Sequence, residues 1–173
     1  LLVSLTIYAA NSAFPQGTWT TKSPIPNPVS HAGAAVVSNM LYLVGGTNGD
    51  ETSLLQRYDP ASDTWTILAS VPTPRYGGGA AAVNGKIYYA GGANNQTYYT
   101  DIIIYDPSSN TWSIGASMNA QGRFSSAVAS LDGIVYIVGG SGANATPLAT
   151  MESYDPLTDI WNPRASMLTA RGG

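Results

Sequence analysis

Runs of five largely apolar residues recur three times along the chain, at Met40-Leu41-Tyr42-Leu43-Val44, Lys86-Ile87-Tyr88-Tyr89-Ala90 and Ile134-Val135-Tyr136-Ile137-Val138. They are short and lack polar alternation, so they predict strands covered on both faces. A stretch of small residues precedes each run: His31-Ala32-Gly33-Ala34-Ala35-Val36-Val37, Gly78-Gly79-Ala80-Ala81-Ala82-Val83 and Ser125-Ser126-Ala127-Val128-Ala129. Small side chains suit a strand where several backbones crowd about an axis, which places it innermost. Asn84-Gly85 and Asp132-Gly133 join the two strands as tight hairpin turns needing positive φ, and Ser38-Asn39 fills that place less well.

Each apolar run ends in a glycine pair, Gly45-Gly46, Gly91-Gly92 or Gly139-Gly140, where a neighbouring backbone or ring can approach without meeting a Cβ. After a variable loop, a third strand runs from Leu54 to Tyr58, from Ile102 to Tyr105 and from Met151 to Tyr154. It stops at Asp-Pro, because proline has no N–H for a ladder and Asp bonds its own turn. A fourth strand carries Trp65, Trp112 or Trp161, each best used as a wedge between sheets. The first glycine of each pair stands at 45, 91 and 139, steps of 46 and 48, and Trp19, Trp65, Trp112 and Trp161 lie 46, 47 and 49 apart. A period near ~50 marks a repeat architecture in which one small sheet cannot bury both its faces alone.

These residues resemble the kelch repeat of β-propellers, with its glycine pair, its spaced Tyr and Trp and its four strands per blade. The resemblance covers roughly Gly17 to Gly173. It implies an all-β fold, a kelch-type β-propeller of four-stranded antiparallel blades, here incomplete, with three full blades plus partial ends. The expected division is 1–13 a possible signal-peptide remnant, 14–28 a stray outer strand with Trp19 and a linker, 29–68, 69–116 and 117–165 the three blades, and 166–173 the start of the next. The copies depart from one another in two places: Val29 stands where Arg75, Arg123 and Arg171 open the other units, and Ile160 where Thr64 and Thr111 precede their Trp.

Propellers close with 4 to 8 blades. Three would leave two apolar flanks, so a longer natural protein is expected, with the remaining blades of the same propeller as partners and the Trp19 strand completing the last blade. Leu1 to Ala13 begins apolar and ends in small residues, which fits the tail of a secretory signal peptide and hence a secreted, periplasmic or cell-surface protein. The rival is a degenerate strand, since Leu5-Thr6-Ile7-Tyr8 alternates. Tyr8 lies eleven residues before Trp19 whereas Tyr58 lies seven before Trp65, which favours the signal.

The chain has 44% apolar and 10% charged residues, a net charge of −3 and no cysteine. That balance argues against nucleic acid, which wants clustered Lys and Arg, and removes disulfides, thiolate nucleophiles and Cys-based metal sites. No membrane span or cofactor is implied. His31 is the lone histidine, so neither a His-rich metal site nor the copper centre of galactose-oxidase-like propellers is available. Asp59, Asp106 and Asp155 repeat in the Tyr-Asp-Pro turn, and Asp63, Asn110 and Asp159 follow four residues later; these read as turn formers. Asp50, Glu51, Asp101, Asp132 and Glu152 form no repeated constellation, and no catalytic residue is assigned. Asn95-Gln96-Thr97 and Asn144-Ala145-Thr146 match the glycosylation sequon.

In up-and-down blades the variable loops share one face with the approaches to the first strands, and loops on a rigid scaffold are where binding concentrates. By the resemblance, positions at the start of the first strand line the central pocket. The ligand-binding candidates are His31, Arg75, Tyr76, Asn94, Arg123, Phe124, Ser125 and Arg171. Arg offers a fork for a carboxylate and an aromatic ring a platform for a sugar. The alternative is that the arginines pin neighbouring loops through backbone carbonyls. Three functions follow: a non-catalytic module binding a protein or carbohydrate, a carbohydrate-active enzyme similar to sialic-acid-mutarotating propellers, or a structural segment of a larger surface protein.

Overall fold

The computed structural model describes residues 19–95 and 97–172. Twelve strands run in chain order: β1 Gly33–Val37, β2 Met40–Val44, β3 Leu55–Asp59, β4 Thr64–Ile67, β5 Gly79–Val83, β6 Lys86–Ala90, β7 Ile102–Asp106, β8 Thr111–Ile114, β9 Ala127–Leu131, β10 Ile134–Val138, β11 Met151–Asp155 and β12 Ile160–Arg164. They form three antiparallel sheets of four consecutive strands each. The innermost strands lie side by side, β5 between β1 and β9, so the sheets fan about a shared axis without closing. The all-β, four-stranded-blade expectation therefore holds.

The hairpin turns adopt the left-handed conformation that their sequence demands. Asn84 and Gly85 have φ of 49° and 77°, Asp132 and Gly133 50° and 80°, and Ser38 and Asn39 reach the same geometry at 50° and 62°. The small residues of the inner strands have a specific occupant: a Cβ added at Gly33 or at Gly78 would strike the ring of Tyr89, which lies between the first two sheets. The glycine pairs receive the backbone of the following unit. Gly46 N–H donates to the Arg75 carbonyl, Gly92 N–H to that of Arg123 and Gly140 N–H to that of Arg171, at 2.8–2.9 Å.

Burial of the second strands corrects one expectation. In the central sheet β6 is buried from Ile87 to Ala90, whereas β2 and β10 alternate between buried and half-buried residues. Among the described residues only the middle sheet has a sheet on each side, and Val36 and Leu131 on the outer flanks stay 60% and 63% exposed. One apolar cluster fills the space between the first and second sheets and another that between the second and third.

In the amino-terminal segment, residues 19–28 pair with none of the three sheets and Trp19 is exposed. The signal-peptide reading of Leu1 to Ala13 lies outside the described residues.

Adjacent sheets are joined by a repeated clamp. The Trp112 indole N–H donates to the Ala69 carbonyl (2.9 Å), and the Ala69 N–H donates to Asn110 Oδ1 (3.0 Å). Trp161 and Asp159 hold Ala116 in the same way, at 2.8 and 2.7 Å, and Trp65 and Asp63 hold Ser23, at 3.0 and 2.9 Å. The same Oδ1 accepts a tyrosine hydroxyl from its own sheet: Tyr58 to Asp63 at 2.6 Å, Tyr105 to Asn110 at 2.7 Å, Tyr154 to Asp159 at 2.6 Å. Asp63, Asn110 and Asp159 do sit in turns, each with φ near 55°. Their repetition also serves this clamp.

The tyrosine hydroxyl and then the linker N–H hold the Asp63 and Asp159 carboxyls below the ordinary carboxylate value. In return, its bond to Asp63 pushes Tyr58 up to about 12. A carboxyl lowered by folding contributes stability that is present above the unfolded value and is lost as pH falls through the folded one. Below about pH 4, the melting temperature of an Asp63→Asn/Asp159→Asn variant should therefore fall less steeply than that of the parent. Equal slopes would deny the clamp a charged acceptor. In urea titrations Asn110→Asp should be near neutral, while Asn110→Ala, which loses both bonds and strains a left-handed position, should cost about 2–3 kcal/mol.

Candidate functional site

Above each glycine pair the chain makes a small ladder of single bridges on the loop face: Ser30, Thr47 and Glu51 on the first sheet, Tyr76, Ala93 and Tyr98 on the second, Phe124, Ser141 and Pro147 on the third. The residue after each inner member is left-handed, with φ of 55° at His31, 67° at Gly77 and 52° at Ser125. These residues are linked across the sheets, Gly77 N–H to the His31 carbonyl at 2.8 Å and Ser125 N–H to the Gly77 carbonyl at 2.6 Å. Gly77 has little room for a side chain, since a Cβ there would press on Phe124.

This backbone relay brings the rings of adjacent sheets together. His31 meets Tyr76 edge to face with centroids 6.3 Å apart, and Tyr76 meets Phe124 likewise at 6.1 Å. Tyr98, from the outer rung of the second ladder, tilts against Phe124 at 5.6 Å. His31 and Tyr98 are exposed, and Tyr76 and Phe124 half-buried. The His31 Nδ1 lies 3.0 Å from the Ser30 hydroxyl. Asn94 stands beside the row; its amide donates to the Tyr99 hydroxyl (2.8 Å) and its carbonyl oxygen accepts the Thr97 N–H.

Arg75 and Arg123 behave differently. Both side chains are fully buried and turn into their own sheets. Arg75 forks onto Asp101 at 2.6 and 3.2 Å, donates to the Gly91 and Thr73 carbonyls and lies 3.7 Å from the Tyr99 ring centre. Arg123 donates to Glu152 at 3.3 Å and to the carbonyls of Gly139 and Thr150. Burial pulls the Arg123 guanidinium below its ordinary value while Glu152 pulls it back. Of the two roles open to these arginines, the geometry supports the pin: the side chain anchors its own sheet while the carbonyl of the same residue receives the previous glycine pair. They present no fork to a ligand.

Asp101 and Glu152, which stand among the unrepeated carboxylates of the sequence, are the acids that receive these arginines. The readable signal was co-occurrence. The two units that open with Arg75 and Arg123 carry an acid at the start of their third strand, whereas the unit that opens with Val29 has Leu54 and Gln56 there. Gln56 keeps the local contact without charge, exchanging hydrogen bonds with the Asn27 backbone at 2.9 and 3.2 Å. Glu152 likewise accepts the Asn119 and Ala120 N–H groups.

Ser125 and Arg171 do not join the row. With Met167 and Gly140 they line a cavity of about 170 Å³ on the open side of the third sheet. A larger one, about 260 Å³ between Asn119, Met151 and Arg164, shares no residue with the row. Among the described residues no group of three or more His, Cys, Asp or Glu side chains could hold a metal, and no helix is long and apolar enough to cross a membrane. The sequon asparagines Asn95 and Asn144 are both exposed, Asn95 bonding Glu51 at 3.1 Å.

A family model described as the KLHDC2/KLHL20/DRC7 Kelch-repeats domain matches residues 16–168. Among solved structures the chain is similar to one titled "Structure of YjhT", with a TM-score of 0.77 at 20% identity over 90% of this chain; it spans 57% of that chain's length. No curated protein matches.

Removal of Arg123 should act on folding. Arg123→Ala leaves Glu152 buried and unpaired and should cost about 3–5 kcal/mol. The double variant Arg123→Val/Glu152→Gln, copying the Val29 and Gln56 arrangement, should recover more than half of that loss by calorimetry. An Arg123→Ala protein that melts like the parent would remove the pin.

Proposed function

Since the chain belongs to the kelch-repeat family, we propose that it is a non-catalytic binding module that engages a protein or carbohydrate through its loop face. The observation that carries this is the row His31, Tyr76, Phe124 and Tyr98, which crosses three sheets on the face where the loops vary. Partly exposed aromatic rings held by a rigid backbone lose little conformational freedom on binding and offer apolar area with a polar edge. The buried arginine pins and the left-handed relay beneath the row supply that rigidity. A reading as an acidic-sugar enzyme would need Arg75 and Arg123 at the ligand, and their engagement inside the sheets takes that support away.

Tyr76 is the central ring and makes no hydrogen bond through its hydroxyl among the described contacts. Tyr76→Ala should leave the melting temperature within a few degrees of the parent, because the ring is only half-buried. It should lower affinity for partners captured from the source organism by at least about tenfold, a loss of 1.4 kcal/mol or more at a central contact. Unchanged capture by this variant, measured by surface plasmon resonance, would move the binding surface elsewhere.

A further inference from the structure

We infer that the loop face takes a basic peptide segment in extended conformation, with Lys or Arg side chains set over the ring row, and excludes acidic ligands. This rests on the proposal that the loop face is the binding surface. The lysines and arginines of the chain are placed away from the row. Of the seven Lys and Arg residues, Arg75 and Arg123 are buried against Asp101 and Glu152. Lys86 pairs with Asp106 beside the opposite hairpin turns. Arg57 lies near Tyr105, between the first two sheets, and Lys22 near Asp63. Arg164 donates to Ser153 on the outer flank of the third sheet. Only Arg171 remains near the loop face, beyond Phe124 on the open side of that sheet.

The carboxylates are distributed in the opposite sense. Asp50 and Glu51 stand in the first loop and take part in none of the three ion pairs among the described residues. Glu51 is two bridges from Ser30, about 10 Å at ordinary strand spacing, and Ser30 adjoins the first ring of the row. Its carboxylate also accepts the Asn95 amide, which ties it to the loop that carries Tyr98. Ring faces are themselves negative and attract ammonium and guanidinium groups. Rings and carboxylates therefore favour the same charge on an occupant, with no Lys or Arg among them to receive an anion.

The spacing of the rings points to an extended chain. Alternate side chains of a strand lie about 6.6 Å apart, close to the 6.3 and 6.1 Å steps from His31 to Tyr76 to Phe124. A peptide crossing the three sheets can thus set every second side chain over one ring.

The test is calorimetric titration of the whole chain with three capped peptides of equal length carrying alternate Lys, alternate Gln or alternate Glu, and with methyl glucoside. The Lys peptide should bind at least about fivefold tighter than the Gln peptide, the Glu peptide and the glucoside should give no heat, and raising salt should weaken the Lys peptide several-fold. Glu51→Gln, which keeps the Asn95 bond, should erase most of the Lys preference and leave the Gln peptide unchanged. Tyr76→Ala should remove binding of both. If Lys and Gln peptides bind equally and both depend on Tyr76, the charge inference falls and the binding-module proposal stands. Binding of the glucoside alone, dependent on Tyr76, has the same meaning. Preference for the Glu peptide overturns the inference outright, and binding indifferent to Tyr76, or none with any probe, overturns both.

Discussion

One linker residue per repeat is gripped from two sides, its N–H by an Asp or Asn side chain and its C=O by a tryptophan indole, and the assembly of sheets depends on that grip. Linkers that leave an outer strand would otherwise leave polar groups unpaired at the half-covered edge where two apolar sheets meet. The clamp satisfies the linker, orients the tryptophan as a wedge and positions the tyrosine whose hydroxyl shares the same acceptor. Tyr105 and Trp112 consequently pack with centroids 5.0 Å apart, and their counterparts do so at 5.0 and 5.2 Å. A single side-chain oxygen thereby joins turn geometry, aromatic packing and attachment of the neighbouring sheet.

The buried arginines perform a related task nearer the axis. Each joins three segments: its guanidinium reaches an acid at the start of the third strand and the carbonyl of its own glycine pair, while its backbone carbonyl accepts from the preceding pair. The loop face inherits its order from this framework, and its electrostatic character too. Cations that sequence position alone would put at the ligand are withdrawn into the sheets, so the surface is left to rings, amides and carboxylates.

The strand plan was legible because its signals are local. Turn residues such as Asn84-Gly85 demand one geometry, and the limits of Met40–Val44, Lys86–Ala90 and Ile134–Val138 follow from where apolar character starts and stops. Contacts between sheets were less legible, since an Asp such as Asp159 satisfies the requirements of a turn before its second role is visible. The direction of Arg75 and Arg123 could not be read from either residue alone. It depended on Asp101 and Glu152, which stand at different offsets, one just before β7 and the other within β11. The candidate surface was half legible: His31, Tyr76 and Phe124 stand at equivalent or adjacent positions of the repeat, while the outer rungs carry Glu51, Tyr98 and Pro147, three unlike residues in loops of different length.

Enclosure of β6 from Ile87 to Ala90, set against the half-covered β2 and β10, means that cohesion in this molecule is a property of neighbours more than of individual leaves. Amide protons of Ile87 to Ala90 would be the last to exchange with solvent, and loosening would spread inward from the two outer leaves. Tyr76 belongs to the middle leaf, so the centre of the ring row rests on the segment that yields last.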